Sequence, residues 1–120
     1  MFKKELSEKI KEAKTIIGHS IHVKGDFVGD GDVVIEGSVN GTIKTSNFLY
    51  IGDQSKIVAD IEAGDIKISG EITGNIKINS YAEITKTAII NGNISTSEIS
   101  IEKGAKINGN VHMNGKPAIE

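Results

Sequence analysis

A five-residue pattern recurs six times along this 120-residue chain and constrains its fold more than any other feature. Each copy has an apolar residue at both ends and, in five copies of six, a glycine at the centre. The copies are Val23–Phe27, Val39–Ile43, Ile57–Ile61, Ile72–Ile76, Ile90–Ile94 and Ile107–Val111. Because one short unit returns about every 15 to 18 residues, the chain is expected to stack equivalent structural units.

A second repeated feature precedes the copies: an apolar residue followed two positions later by isoleucine, with threonine in the apolar position of the first pair. The pairs are Thr15/Ile17, Val33/Ile35, Leu49/Ile51, Ile66/Ile68, Ala82/Ile84 and Ile99/Ile101. Four or six positions separate each pair from the next pentapeptide. Apolar and polar residues alternate with period two in both features, which is typical of β-strands. We therefore predict an all-β parallel β-helix, or β-solenoid, of about six coils, each with three short sides.

Composition agrees with thin layers of aliphatic side chains and excludes several functions. Apolar residues form 38% of the chain and aromatic residues only 4%. The net charge is -2 and all 14 basic residues are lysine, which argues against nucleic acid as a partner and excludes recognition by arginine. No cysteine is present, so neither a disulfide nor a thiolate site is expected.

The glycine at the centre of the pentapeptide is expected to point inward between two aliphatic residues. Ala59 replaces it in the third copy, and alanine adopts positive φ poorly. The sequence therefore predicts a need for a small side chain, so that Gly92→Ala is mild and Gly92→Leu severe. The flanking asparagines Asn75, Asn91, Asn93, Asn108 and Asn110 are expected outside, either as an amide ladder or as ordinary polar residues of a strand surface.

The sequence resembles the bactofilins, which are bacterial polymer-forming cytoskeletal proteins. Three stretches carry the resemblance: Thr15–Gly18, Val33–Ile43 and Ile68–Ile76. The resemblance covers roughly residues 15–113. It implies a right-handed β-helix, triangular in section, that self-assembles head to tail into non-polar filaments without nucleotide or cofactor. Expected partners are other copies of the chain, a paralogous bactofilin, and lipid or wall-synthesis or motility proteins at the inner face of the membrane, where such filaments support cell shape, wall synthesis or motility.

The ends of such a solenoid are the predicted polymerisation interface, because uncapped terminal coils expose strand edges and an apolar cross-section. The candidates are the inward residues of the end coils. They are Ile17, Ile21, Val23 and Phe27 at one end, and Ile107, Val111 and Met113 at the other.

Residues 1–14 are predicted to form a separate N-terminal tail and residues 114–120 a short C-terminal tail. Five lysines and three acidic residues give the first segment a charge of +2, and apolar residues recur on one helical face. A tentative membrane contact is assigned to Met1, Phe2, Lys3, Lys4 and Leu6. The alternatives are a short helix over the first coil and a disordered tail. With no membrane span or signal peptide in the sequence, a cytoplasmic protein is expected, peripheral at the membrane if the tail binds lipid.

No catalytic, cofactor or metal site is expected. His19 and His22 lie near the first coil and His112 near the last, and Gly29–Asp32 is predicted to be a glycine-rich turn rather than a calcium loop. The first alternative is a left-handed β-helix enzyme of the acyltransferase type, whose spacing of six residues this chain lacks. The others are a non-polymerising solenoid that binds a ligand and an ice- or surface-binding solenoid, which would show a threonine ladder.

Overall fold

The structure is a computed structural model, and it describes residues 15–113, all of whose regular elements are β-strands. The strands are β1 (Thr15–Ile17), β2 (His22–Gly29), β3 (Val33–Ile35), β4 (Ser38–Thr45), β5 (Phe48–Ile51), β6 (Lys56–Ile68), β7 (Glu71–Thr73), β8 (Ile76–Ile84), β9 (Ile89–Asn91), β10 (Ile94–Thr96), β11 (Glu98–Ile101), β12 (Lys106–Asn108) and β13 (Val111–Met113). The tails predicted for 1–14 and 114–120 lie outside the described residues.

Every strand pairs in parallel with the strand one coil away, and the pairs form three stacks. The first side contains β1, β3, β5, the ends of β6 and β8, and β11. The second contains the starts of β2, β4 and β6, then β7, β9 and β12. The third contains the ends of β2 and β4, the middle of β6, the start of β8, β10 and β13. The predicted parallel β-solenoid of about six coils is confirmed.

The register places equivalent positions of the two repeats directly above one another, as predicted. Val23 is paired with Val39, and the column continues through Ile57, Ile72 and Ile90 to Ile107. The first-side isoleucines form a second column: Ile17, Ile35, Ile51, Ile68, Ile84 and Ile101. Interior members of both columns are at most 2% exposed. Each buried isoleucine contributes about 1.5 to 3 kcal/mol of hydrophobic stabilisation.

The corner between the first and second sides explains the two spacings of four and six residues. Long turns occupy residues 18–21, 52–55, 85–88 and 102–105, and each is closed by a backbone hydrogen bond such as Ser55 N to Gly52 O, 3.1 Å. Short turns occupy residues 36–37 and 69–70. A side chain at Gly37 would overlap the carbonyl oxygens of Gly18 and Ile21 in the long turn of the previous coil. The short turn thus requires glycine because the long turn lies directly against it.

The centre of the pentapeptide forms the corner between the second and third sides, and here the prediction about glycine is wrong. Gly92 has a φ of +146° and an added Cβ would overlap the carbonyl oxygen of Gly74. That Cβ would point along the solenoid toward the previous coil rather than into the core. Ala59 is tolerated because β6 passes this corner without a positive φ, and the alanine side chain is buried. Backbone conformation and close backbone approach, rather than side-chain size, select glycine at 92.

Polar groups at the corners are satisfied by bonds between coils. The hydroxyl of Thr45 donates to Gly31 O over 2.7 Å, which holds the predicted glycine-rich turn at 29–32. Asp32 Oδ1 of the same turn accepts from Phe48 N at 3.1 Å. The buried hydroxyl of Ser55 donates to Ile35 O, also at 2.7 Å. Within residues 15–113, no buried side-chain polar atom lacks a partner, as expected for a stable interior.

The asparagines form the amide ladder that the sequence left open. Asn93 Nδ2 donates to Asn75 Oδ1 at 3.3 Å, and Asn110 Nδ2 donates to Asn93 Oδ1 at 3.4 Å. A second rail joins Asn108 Nδ2 to Asn91 Oδ1 at 3.0 Å. In the same columns, Asp60 Oδ1 accepts from Asn75 N at 3.1 Å. These bonds run along the solenoid axis and link successive coils outside the core.

Gly92→Ala is therefore expected to destabilise the protein by more than about 2 kcal/mol, since it combines positive-φ strain with overpacking. Equilibrium urea denaturation measures this. Ala59→Gly is the matched control in the same column and should cost only about 0.5 to 1 kcal/mol, through added freedom of the unfolded chain. Wild-type stability in Gly92→Ala would contradict the conformational explanation.

Candidate assembly interface

The inward columns lose their cover at the two ends of the solenoid. At the N-terminal end, Val23 and Phe27 are only partly buried, although their partners Val39 and Ile43 are 2% and 1% exposed. Ile17 is the exception, at 5% exposure. The structure therefore places these three predicted residues together as inward members of the first coil.

At the C-terminal end the loss of cover is larger. Val111 is 40% exposed, although its column neighbour Ile94 is 0% exposed. Met113 is 55% exposed and lies over the fully buried Thr96. Ile107 is partly buried, over Ile90. The three residues predicted for this end therefore share one terminal coil.

Ile21 is half exposed and lies in the turn before β2 rather than in a strand. The equivalent residues of later long turns, Ser55 and Ala88, are 2% and 1% exposed. Ile21 thus occupies an inward turn position that becomes buried when another coil covers it. It is larger than its equivalents, so it extends farther toward whatever covers the first coil.

Sequence reasoning missed Ile101, which is 48% exposed over the fully buried Ile84. Ile99 is partly buried in the same strand. The signal was present, because both residues belong to the last copy of the paired repeat. The candidates predicted for this end all lie in the last pentapeptide or just after it, so none of them is on the first side of the final coil.

Both ends also present strand edges that have no partner within the described part of the chain. β1 pairs only with β3 and β2 only with β4. At the other end, β11, β12 and β13 each pair on one side only. Each end therefore combines apolar side chains with unpaired backbone donors and acceptors, the combination that permits one more strand to add.

The sides of the solenoid carry polar groups that are mostly engaged between coils. A groove of about 430 Å³ on the third side has Asp26, Thr42 and Asp60 in one wall and Lys44 and Glu62 in the other. The Thr42 hydroxyl donates to Asp26 at 2.7 Å. Lys44 Nζ lies 3.6 Å from Glu62 Oε1. These groups hold neighbouring coils together.

On the first side, a column of outward-pointing, partly buried residues includes two groups whose pKa values are raised. Burial raises the pKa of the Tyr50 hydroxyl, and the charge of Asp53 raises it further. Burial also raises the pKa of Glu83, although Lys67, whose Nζ lies 3.9 Å from Glu83 Oε2, opposes the change. Tyr50, Lys67 and Glu83 occupy equivalent positions of successive coils, so the pair is a contact between coils.

The histidines and the tentative membrane residues do not form a second candidate site among the described residues. His19 and His22 lie in the first coil and His112 in the last. In residues 15–113, no group of three histidine, cysteine or acidic side chains is arranged to hold a metal ion. The tentative membrane residues Met1, Phe2, Lys3, Lys4 and Leu6 lie outside the described residues.

Across the described range, the chain has no helix with the length and hydrophobicity that spanning a bilayer would require.

Two isoleucines of one column provide a matched test of the exposed end. Ile84→Ala should cost about 2 to 5 kcal/mol because it empties a fully packed site. Ile101→Ala should cost less than about half as much in unassembled protein, since its site is half open. Urea denaturation at low protein concentration measures both. Equal costs would show that the last coil is already covered in the single chain.

One family model covers nearly the same residues as the solenoid. The family model described as "Bactofilin: Polymer-forming cytoskeletal" matches residues 15–112. Bactofilin BacO of Myxococcus xanthus (strain DK1622) is 38% identical over 104 residues, which are 87% of this chain and 82% of the relative. Bactofilin BacN of the same strain is 50% identical over 48 residues, 40% of this chain and 42% of BacN.

A third relative from that strain, bactofilin BacP, is 30% identical over 110 residues, which are 92% of this chain but only 46% of BacP. One organism thus contains several paralogous bactofilins.

A solved structure shares the fold. It is the cryo-EM reconstruction of Thermus thermophilus bactofilin double helical filaments, which matches with a TM-score of 0.78 at 26% identity and covers 81% of this chain and 96% of that chain. The family model covers nearly all of the solenoid. The chain belongs to the bactofilin family of polymer-forming cytoskeletal proteins.

Proposed function

We propose that this bactofilin assembles end to end into filaments through the two terminal coils and acts as a scaffold rather than as an enzyme. The observation that carries the proposal is the exposure of inward residues at the C-terminal end. Ile101, Val111 and Met113 are between 40% and 55% exposed, whereas their column neighbours are buried. A second chain stacked on this end would continue the columns and bury all three side chains.

The energies are of the right order for assembly. Covering a half-exposed aliphatic side chain contributes on the order of 1 kcal/mol, and each new backbone hydrogen bond about 0.5 to 1.5 kcal/mol. The loss of translational and rotational freedom costs about 4 to 15 kcal/mol. Since both ends carry several apolar residues and free strand edges, side-chain burial and backbone pairing together offset that cost. Assembly of this kind requires no nucleotide and no cofactor.

Two arrangements of end-to-end contacts give a filament without overall polarity. Rods joined head to tail form a strand with a direction, so a non-polar filament then requires two strands that run antiparallel. Joints between like ends remove the direction within a single strand. The T. thermophilus relative forms double helical filaments, which supports pairing of two strands here as well. The head-to-tail joint with antiparallel strands satisfies both expectations drawn from the resemblance.

The cellular role that we propose is a cytoplasmic scaffold at the inner face of the membrane, for cell shape, wall synthesis or motility. Support comes from the family and from the sequence of residues 1–14, which carries a charge of +2 while the remaining residues carry -4. A weak contact made by one chain becomes strong when a filament presents many copies. A paralogous bactofilin with matching ends could enter the same filament.

Val111→Lys should abolish filaments and leave a folded rod, because the ammonium group would have to be buried against the next chain. Negative-stain microscopy and sedimentation measure assembly, and circular dichroism measures folding. Val58→Lys is the matched control, since Val58 is 53% exposed on a side of the solenoid, and it should retain filaments. Normal filaments from a folded Val111→Lys protein would contradict assembly through the ends.

Membrane contact is tested separately by co-sedimentation with vesicles that contain anionic lipid. The full chain should sediment with the vesicles and a chain without residues 1–14 should not, at matched degrees of assembly. High salt should weaken binding, because lysine attraction to an anionic surface is screened. Equal binding by both chains, or binding by neither, would exclude the anchor.

A further inference from the structure

The four residues Ile-Asn-Gly-Asn occur twice in the solenoid, once in an interior coil at 90–93 and once in the last coil at 107–110. Asparagine followed by glycine is the sequence most prone to spontaneous loss of the side-chain amide, because glycine leaves the attacking backbone nitrogen unhindered. The two copies therefore have the same intrinsic reactivity, and any difference between them is set by the fold.

The interior copy is protected by strands on both sides. β9, which contains Asn91, pairs with β7 and with β12. Gly92 N donates to Asn108 O at 3.0 Å, and Asn91 Oδ1 accepts from Asn108 Nδ2 at the same distance. For the ring to close, Gly92 N must leave its hydrogen bond and the backbone must rotate out of the strand. Both movements require local opening of the solenoid.

The copy in the last coil is protected on one side only. β12, which contains Asn108, pairs only with β9 among the described strands. Within residues 15–113, Gly109 N–H has no acceptor and Asn108 Oδ1 has no donor. Both residues are exposed, whereas Asn91 and Gly92 are half-buried. Rotation of the 108–109 peptide toward the reactive geometry breaks the bonds from Gly92 N to Asn108 O and from Asn108 Nδ2 to Asn91 Oδ1, but none on the open edge. The 91–92 peptide must break bonds on both sides, because Asn91 O accepts from Gly74 N while Gly92 N donates to Asn108 O.

We propose that Asn108 is a site of spontaneous deamidation, and that stacking of another chain on the C-terminal end suppresses the reaction. The second half of this inference rests on the proposed function, because the covering chain is the one that joins at this end. A strand added to β12 would give Gly109 N–H and the Asn108 side chain the partners that their interior equivalents have.

The chemistry uses only the chain and water. The deprotonated backbone nitrogen of Gly109 attacks Asn108 Cγ, a C–N bond forms, and the side-chain nitrogen leaves as ammonia. The product is a cyclic imide between residues 108 and 109. Water then opens one of its two carbonyl groups, which gives either aspartate or isoaspartate. No oxidant or other reactant is required, and the base that removes the proton is solvent.

The product changes the joint itself. Either product places a carboxylate beside Ile107 at the edge where the next chain adds, and isoaspartate also lengthens the backbone by one atom and breaks the strand register. An end that remains uncovered for long is therefore expected to lose the ability to extend, while covered ends stay intact. The fraction of deamidated Asn108 would increase with the time that an end stays uncovered.

The test compares the two copies within one protein. Free rods of Val111→Lys, wild-type chain diluted below its assembly threshold, and wild-type filaments are incubated at mildly alkaline pH. Cleavage after lysine separates Asn91 in the peptide 87–103 from Asn108, whose peptide begins at Ile107 in both proteins and ends at position 111 in Val111→Lys. Fragmentation distinguishes Asn108 from the other asparagines of its peptide. In both free samples, Asn108 should deamidate at least about tenfold faster than Asn91, since the opening at Asn91 must separate coils on both sides and the opening at Asn108 on one side only. Asn108→Gln is the control, because its longer side chain closes a ring slowly.

In wild-type filaments the rate at Asn108 should fall toward that of Asn91. Equal rates at the two positions in both free samples would overturn the assignment of the site. A rate at Asn108 that is equally fast in filaments would overturn protection by the joint. If Val111→Lys still forms filaments, the end-stacking function fails, and the diluted wild-type chain alone decides whether Asn108 is reactive.

Discussion

The structure depends on parallel strands that stack in identical register along one axis. Hydrogen bonds and side-chain contacts therefore run in the same direction, and each inward residue is buried mainly by its equivalents in the coils on either side. Ile84, with neighbours on both sides, is fully buried, and Ile101, with a neighbour on one side, is half exposed. The repeat in the sequence and the exposure of apolar residues at the ends are two consequences of that single constraint.

The short distance between coils restricts which residues can occupy the corners. Backbones of successive coils approach closely there, so a side chain at Gly37 or Gly92 would overlap a carbonyl oxygen of the previous coil. Ser55 and Thr45 satisfy corner carbonyls with their hydroxyls. The asparagine rails add side-chain bonds along the axis. The core determines which residues lie inside, and the corners determine where the chain can turn without leaving polar groups unpaired.

Apolar spacing was sufficient to predict the register, because a slip of one residue would turn every isoleucine outward. It was insufficient at Gly92, since backbone conformation has no signature in hydrophobic periodicity. Ala59, which has no positive φ, suggested a tolerance that does not extend to the positive-φ glycines of the same column. Ile101 was predictable from the sequence, because the paired repeat places it in the same coil as the last pentapeptide. The handedness of the coil came from the resemblance, since the order of apolar residues is the same for either hand.

The proposed end-to-end assembly needs no catalytic group, because the pairing and packing that join coil to coil would also join chain to chain. The most direct test is the axial repeat of the filament, measured by cryo-EM. End-stacked rods of six coils predict one chain about every 29 Å and strands spaced about 4.8 Å apart without interruption across each joint. A filament in which the strand spacing breaks at every chain, or in which chains meet only through their sides, would contradict the account.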